Sequence, residues 1–311
     1  MAVAALLLTI ASGAARADVS RELLRITENI YLSEDGASDP GLGRLAEPEF
    51  VLKVYELTQQ QPLWSNADAE LALAALKESY TEGLNPSDYH VARLEHLAAP
   101  GTVLSDEQAA QRDVLLTDGV LHYARHLVEG KVDPRTLDPS WNYTRRDYRA
   151  GDVANRLVVE MRGSGLPALL ASLAPELPFY RIMREALASL RKIEDTQQFF
   201  VVPDDKVLRA GDRNPAIPLI RKRLSQLNYL PYNALASDHF DRQLEAAVRD
   251  FQEDHGIDSD GIVGKQSYVA LNTSFRERID AVRVNMDRLR WISQDLSDDF
   301  IVVNIAGYEL Y

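Results

Sequence analysis

The chain contains no cysteine in 311 residues. A disulfide framework is therefore excluded, and so is a thiol nucleophile anywhere in these residues. Stability has to come from apolar burial in cores of ordinary size, for which 46% hydrophobic residues suffice. Basic charge is short as well: 34 Lys and Arg stand against 47 Asp and Glu, a net charge of -13 with a pI near 5.0. Such a chain has no electrostatic drive toward nucleic acid or anionic lipid, and neither is an expected partner. The apolar stretch Ala2–Ala11 falls short of the ~20 residues that cross a bilayer. GxSxG, HExxH, a P-loop and a dinucleotide fingerprint are all missing, so no catalytic residue, cofactor or metal is expected from them. With 47 acidic residues, a chance pairing of carboxylates is no argument for a glycan hydrolase.

What is present begins with an export signal. The apolar stretch gives way to small residues at Ser12–Ala15, and Ala15-Arg16-Ala17 offers a small-x-small cleavage site before Asp18. Residues 1–17 are expected to be removed on passage to the periplasm, leaving no membrane attachment. Their loss takes away Arg16 and leaves 33 basic against 47 acidic residues, or -14. The basic start that usually precedes such a signal is absent, which predicts an initiation site upstream.

From Glu49 to Ile193 nearly everything reads as helix. ADAELALAALKESYTEG is strongly helix-forming and stops at Gly83. SDEQAAQRDVLLTDGVLHYARHLVEG opens with a capping box, Ser105 with Gln108, and stops at Gly130. Leu116, Val120, Tyr123 and Leu127 form its apolar stripe. His122 and His126 stand four apart on that helix with Asp118 and Glu129 nearby, a spacing that could share a metal, but an ordinary polar helix face is the expected reading and no metal is predicted. After the turn-rich stretch FFVVPDDKVLRAGDRNPAIP, three short helices are expected between Val207 and Asn272. Ile217, Ile220, Leu224 and Leu227 face inward on the first, Leu244, Val248 and Phe251 on the second. RERIDAVRVNMDRLRWI then places Ile279, Val282, Met286 and Leu289 on one face with five arginines around it. The terminal FIVVNI reads as a buried strand, and FFVV at Phe199–Val202 is the comparable run with which it could pair.

The unit from Leu208 to Leu271 resembles the small peptidoglycan-binding domain attached to many bacterial wall enzymes. The resemblance rests on LRAGDR, IRKRLSQLNYL and FDRQLEAAVRDFQEDHGIDSDGIVGKQSYVAL, with matches at Leu208, Gly211, Leu224, Tyr229, Phe240, Phe251, Gln252, Asp260, Gly261, Gly264 and Leu271. It departs at Asn228, where Gly is commoner, and at Ser267, where Thr is commoner. Asn tolerates the left-handed backbone that Gly would supply. Tyr229, Phe240 and Asp260 are the expected substrate-binding residues, since an aromatic face packs on sugar C–H surfaces and a carboxylate accepts from hydroxyl or amide donors. Gly261 is counted with them, although its first use, like that of Gly264, is backbone shape.

The flanks narrow the resemblance. LNPSDYH, LLTDGVLHYARHLVEGKVDPRTLDPSW and LLASLAPELPFYRIMREALASLR resemble the scaffold domain of a murein L,D-transpeptidase, and DRLRWISQDLSDDFIVVNIAGYELY resembles the start of its catalytic domain. The implied fold is mainly α: a signal at 1–17, an all-α scaffold at 18–200, a three-helix peptidoglycan-binding domain at 203–273, a linker helix at 274–299, and at 300–311 the first strand of an absent β-rich catalytic domain. The implied function is the non-catalytic, peptidoglycan-binding portion of a transferase in cell wall biogenesis. A complete non-enzymatic wall-binding adaptor is the alternative, and a carboxylate-based hydrolase a third reading. The sequence does not set the oligomeric state.

Overall fold

The computed structural model describes residues 18–99, 102–141, 150–160, 165–231, 237–293, 303–304 and 309–310. The export segment 1–17 and most of the terminal run lie outside them. Among the described residues the chain is mainly α, as expected, with strands only in two-residue pairs. It divides into two compact units, residues 18–184 with 283–293, and residues 185–282 with 303–304 and 309–310.

In the first unit, helix α1 (18–32) points Leu23, Ile26 and Ile30 into the core at i, i+3 and i+7. A small ribbon follows, β1 (Ser38–Asp39) antiparallel to β2 (Gly43–Arg44). Helix α2 (Pro48–Leu57) starts with Pro at its first position, where no N–H is needed. Helix α3 (Asn66–Glu78) is capped by Ser65, tightens into a 3-10 turn over Ser79–Glu82, and stops at Gly83 with φ +74°. A second 3-10 turn (Pro86–Tyr89) leads into α4 (Val91–Leu97). Helix α5 (Asp106–Glu129) has the full capping box between Ser105 and Gln108 and ends at Gly130. Leu116, Val120, Tyr123 and Leu127 are all buried. So is every residue from Asp113 to Leu121, which makes α5 the buried axis of the unit rather than a one-faced helix. Helices α6 (Pro134–Leu137), α7 (Ala150–Glu160) and α8 (Leu166–Leu173) follow, and α7 and α8 add Ala154, Leu157, Leu169 and Leu170 to the same core.

Helix α9 (Pro178–Thr196) begins in the first unit and ends in the second. The second unit holds α10 (Ile217–Gln226), α11 (Arg242–Asp254) and α12 (Lys265–Asn272) around Ile217, Ile220, Leu224, Leu244, Val248, Phe251 and Leu271. Leu227, expected inward, is only half-buried. Two single β-bridges tie the loops: Leu208 to Val263, and Arg213 to His239. Gly211, with φ +93°, turns the chain so that its N–H reaches the Phe240 carbonyl at 2.8 Å. Asn228 sits at φ +68°, the left-handed position that the departure from Gly anticipates.

Two expectations change. FFVV is not a strand, and among the described residues it does not pair with the terminal run. Asn272 takes the Val202 backbone in a two-bond clasp, Oδ1 accepting from its N–H at 2.8 Å and Nδ2 donating to its carbonyl at 3.0 Å. Strand β3 (Val303–Asn304) pairs instead with β4 (Glu309–Leu310), antiparallel, Val303 opposite Leu310. The helix expected as a linker over 274–299 is α13 (Phe275–Ile292), and its residues 275–282 count with the second unit, 283–292 with the first. Ile279 and Met286 are buried on it as expected. One of its five arginines, Arg290, is buried as well. Arg290 donates to the Glu82 carbonyl, to the Tyr180 hydroxyl at 2.6 Å and to Asp287 at 3.1 Å.

Candidate functional site

The loop Asp258–Gly264, which carries two of the expected binding residues, is tied by the Leu208–Val263 bridge, by Arg249 donating to the Ser259 carbonyl at 2.6 Å, and by several bonds to one side chain. Gln252, buried at the C-terminal end of α11, accepts from the Gly261 N–H at 2.8 Å through Oε1. Its Nε2 lies within 3.1 Å of Asp260 Oδ1, the Ile262 carbonyl and Ser267 Oγ. Asp260 also accepts from the Ile262 N–H at 2.8 Å, so one carboxylate oxygen serves the loop while the residue as a whole is exposed. Gly261 is buried at φ +76°, and a Cβ there would stand 2.9 Å from Arg249 Nε. The left-handed backbone is what requires glycine there, since the exposed Arg249 side chain can shift aside. Gly264, with φ -106°, is not in the left-handed region and has open space around it, so that requirement does not apply to it.

The expected aromatic residues separate. Phe240 is 0% exposed in the core and has no face to offer a ligand. This corrects the expectation that its ring packs on sugar. The reason lies in the chain path: its N–H and C=O are both bonded across to the Gly211–Asp212 turn, which draws the ring beneath it. Tyr229 is half-buried, edge-on to Phe251, with its hydroxyl donating to Asp254 at 2.8 Å. Burial and the Asp254 carboxylate raise its pKa. His255 lies against Phe251 at 4.0 Å between centroids. Its Nδ1 meets the Phe251 carbonyl at 2.7 Å and its Nε2 meets the Arg278 guanidinium at 2.8 Å. A carbonyl needs a donor and a guanidinium needs an acceptor, so the ring is neutral with its proton on Nδ1. Burial lowers its pKa in agreement.

Two features here have no warning in the sequence. Arg221, buried on α10, donates to the His239 carbonyl at 2.9 Å and pairs with Asp241 at 2.6 Å. Burial works against the Asp241 carboxylate, but the Leu244 N–H and the Arg221 guanidinium hold its pKa below the usual range. Arg223 is buried among Phe199, Phe200 and Phe275, with centroids at 4.3, 4.7 and 5.1 Å, and donates to the Phe200 carbonyl. Burial, with help from Arg278, pulls its pKa down to about 10.

On α5 the His122 and His126 rings lie 4.1 Å apart between centroids, but each is engaged by a different partner. His122 Nδ1 lies 2.9 Å from Glu47, which also pairs with Arg125. Asp118 accepts from the Glu47 and Ala46 N–H groups and stands 2.6 Å from His90 Nε2. His126 Nδ1 is 2.8 Å from the Tyr89 hydroxyl, and burial lowers its pKa to about 2. These bonds lock the start of α2 and the Pro86–Tyr89 turn onto α5. Among the described residues no group of three His, Asp or Glu is placed to hold a metal ion. Nor is any described helix long and apolar enough to cross a membrane.

Comparison with known proteins adds two domain matches. Residues 49–187 match a family model described as Scaffold domain, and residues 213–271 match the model of a peptidoglycan binding domain. The chain is also similar to N-acetylmuramoyl-L-alanine amidase CwlM of Mycobacterium tuberculosis (strain ATCC 25618 / H37Rv), 41% identical over 76 residues. That stretch is 22% of this chain and 19% of the amidase, so the likeness spans about a fifth of the relative's length. Together these matches support a peptidoglycan-associated protein with peptidoglycan as its partner.

Proposed function

We propose that this chain is the non-catalytic, peptidoglycan-binding portion of an exported L,D-transpeptidase. The observation that carries the reading is order: a scaffold domain, then a peptidoglycan-binding domain, then the junction sequence DRLRWISQDLSDDFIVVNIAGYELY. In such an enzyme a Cys thiolate attacks the carbonyl on the L-centre of diaminopimelate in a donor tetrapeptide and expels D-Ala; an amine of a neighbouring stem then resolves the thioester. With no Cys, these residues supply no nucleophile and serve by holding the wall. Of the residues expected to bind, Asp260 and the outer edge of Tyr229 can still meet a ligand, whereas Gly261 shapes the loop. The chain reaches the periplasm through residues 1–17.

Co-sedimentation of the purified chain with sacculi, followed by muropeptide analysis, tests this. Binding without any new 3-3 cross-link is expected; cross-links formed by this chain alone would overturn it. The absence of Cys equally favours a non-enzymatic wall-binding adaptor. The reading frame downstream of codon 311 separates the two, since Ser-x-Gly-Cys encoded there supports the transpeptidase.

A further inference from the structure

In the second unit, residues 185–282, no described aromatic ring is exposed. Phe240, Phe251, Tyr268 and Phe275 are buried, and Phe199, Phe200 and Tyr229 are half-buried. Sugar recognition by stacking needs an open ring face, which this unit does not present among those residues. What it presents is a groove of about 690 Å³ where the end of α9 and the residues after it face α10. Gln198, Lys222, Ser225, Gln226, Asn228 and Leu230 line it.

Three properties give the groove a ligand preference. Lys222 is exposed, holds its ammonium 5.0 Å from the Phe200 ring centroid, and makes no ion pair among the described residues. In a chain of net charge -13 it is an unneutralised cation at the rim of a cavity. Gln226 is buried with Nε2 fixed on the Gln198 carbonyl at 3.1 Å, and its Oε1 has no hydrogen-bond partner. A buried acceptor without a donor is costly, and a ligand N–H would remove that cost. Leu230, buried below, supplies an apolar floor for an aliphatic side chain. A cation, an acceptor for N–H and a small apolar floor match a peptide terminus better than a glycan.

We propose that this groove takes a short peptide bearing a free carboxylate, with the carboxylate on Lys222 and a peptide N–H on Gln226 Oε1. The assignment rests on the wall-binding reading above, and under it the ligand is a stem peptide, so that the domain grips the peptide part of the wall rather than its sugars.

Calorimetric titration of the full chain with synthetic L-Ala-γ-D-Glu-meso-diaminopimelate-D-Ala tests this, with backbone amide shifts locating the contact. Binding is expected to shift residues 196–198 and 222–230. Lys222→Glu, a surface change, should weaken it about tenfold or more, as loss of a charge-assisted bond does. Gln226→Met should weaken it too. Converting the terminal carboxylate to its amide should weaken binding to the native chain but hardly to Lys222→Glu. Chitotetraose should give no heat. Equal binding of acid and amide, shifts mapping elsewhere, absence of tetrapeptide binding, or heat from chitotetraose would each overturn the inference. The two readings fail separately. A native chain that does not sediment with sacculi defeats wall binding itself, whereas sedimentation unaltered by Lys222→Glu defeats the groove alone.

Discussion

A side chain that holds a loop does so by answering several backbone groups at once, and Gln252 is placed for that. Replacing it with Leu keeps the volume and strips the partner from the buried Gly261 N–H, a cost of about 1–3 kcal/mol, while the Ile262 carbonyl keeps the Gly264 N–H and Ser267 Oγ. Glu at the same position is expected to be worse, because it sets a carboxylate against Asp260 and the Ile262 carbonyl. Hydrogen exchange of peptides covering 258–264 should therefore speed up in Gln252→Leu and more in Gln252→Glu. The reverse order would show that the loop is held by something else. His126 gives a second residue-scale test, with a definite sign. Its folded pKa lies near 2 against an ordinary 6.5, so below pH 6.5 the unfolded chain binds a proton that the folded chain refuses. Stability then falls on acidification by up to ~1.4 kcal/mol per pH unit. Asp113 works the other way. Burial raises its pKa to about 6 although Tyr55, Leu63 and Trp64 all donate to it, so between pH 6 and 3.8 the folded chain binds the extra proton and gains stability as pH falls. The two largely offset each other in that window. Trp64, Trp141 and Trp291, the three tryptophans of the sequence, all belong to the first unit and report its unfolding. Urea midpoints read by their fluorescence at pH 7 and 4.5 should show His126→Gln gaining on the native chain as pH falls, and Asp113→Asn losing ground. Parallel curves for all three proteins would mean that neither group titrates as described.

At the scale of elements, α13 shows where a helix read from its sequence conceals its most consequential contact. Arg290 is one of five arginines on an amphipathic helix, and long cationic residues beside an apolar stripe ordinarily snorkel to water. Here it is buried and donates to Glu82, Tyr180 and Asp287, with Trp291 beside it against Gly130. Arg290→Met should cost the first unit about 3–5 kcal/mol, the usual penalty for stripping one partner from a buried charge pair. Arg288→Met, an exposed change on the same helix, should cost almost nothing. Thermal midpoints by tryptophan fluorescence check both, and similar losses for the two would contradict the clamp. The contrast marks what was legible beforehand. Capping and periodicity are local, so the Ser105–Gln108 box, the Gly83 stop and the inward face of α10 could be read from short windows. The burial of Arg221, Arg223 and Arg290 depends on carbonyls and rings that the chain brings in from far away. Nothing in those windows distinguishes them from solvated arginines. Phe240 failed as a ligand candidate for the same reason, because its burial is decided by a turn nearly thirty residues earlier.

For the whole molecule, the export reading makes a demand on the folded protein: the mature chain must lose nothing when residues 1–17 go. Asp18 is the first described residue of α1 and pairs with Arg21 at 2.8 Å. The helix's core residues Leu23, Ile26 and Ile30 all follow the cleavage point, so cutting after Ala17 spares every apolar core side chain of the first unit among the described residues. Net charge changes only from -13 to -14, far too little to alter the repulsion within a chain already acidic throughout. A protein starting at Asp18 is therefore expected to unfold within about 2 °C of the 311-residue chain, a shift smaller than a single lost contact of 1 kcal/mol would cause at this size. Mass analysis of the exported protein should find Asp18 as its first residue. Retention of Met1 in the periplasm, or a midpoint lower by many degrees in the shortened chain, would show that residues 1–17 belong to the folded protein and would remove the ground for placing it at the wall by export.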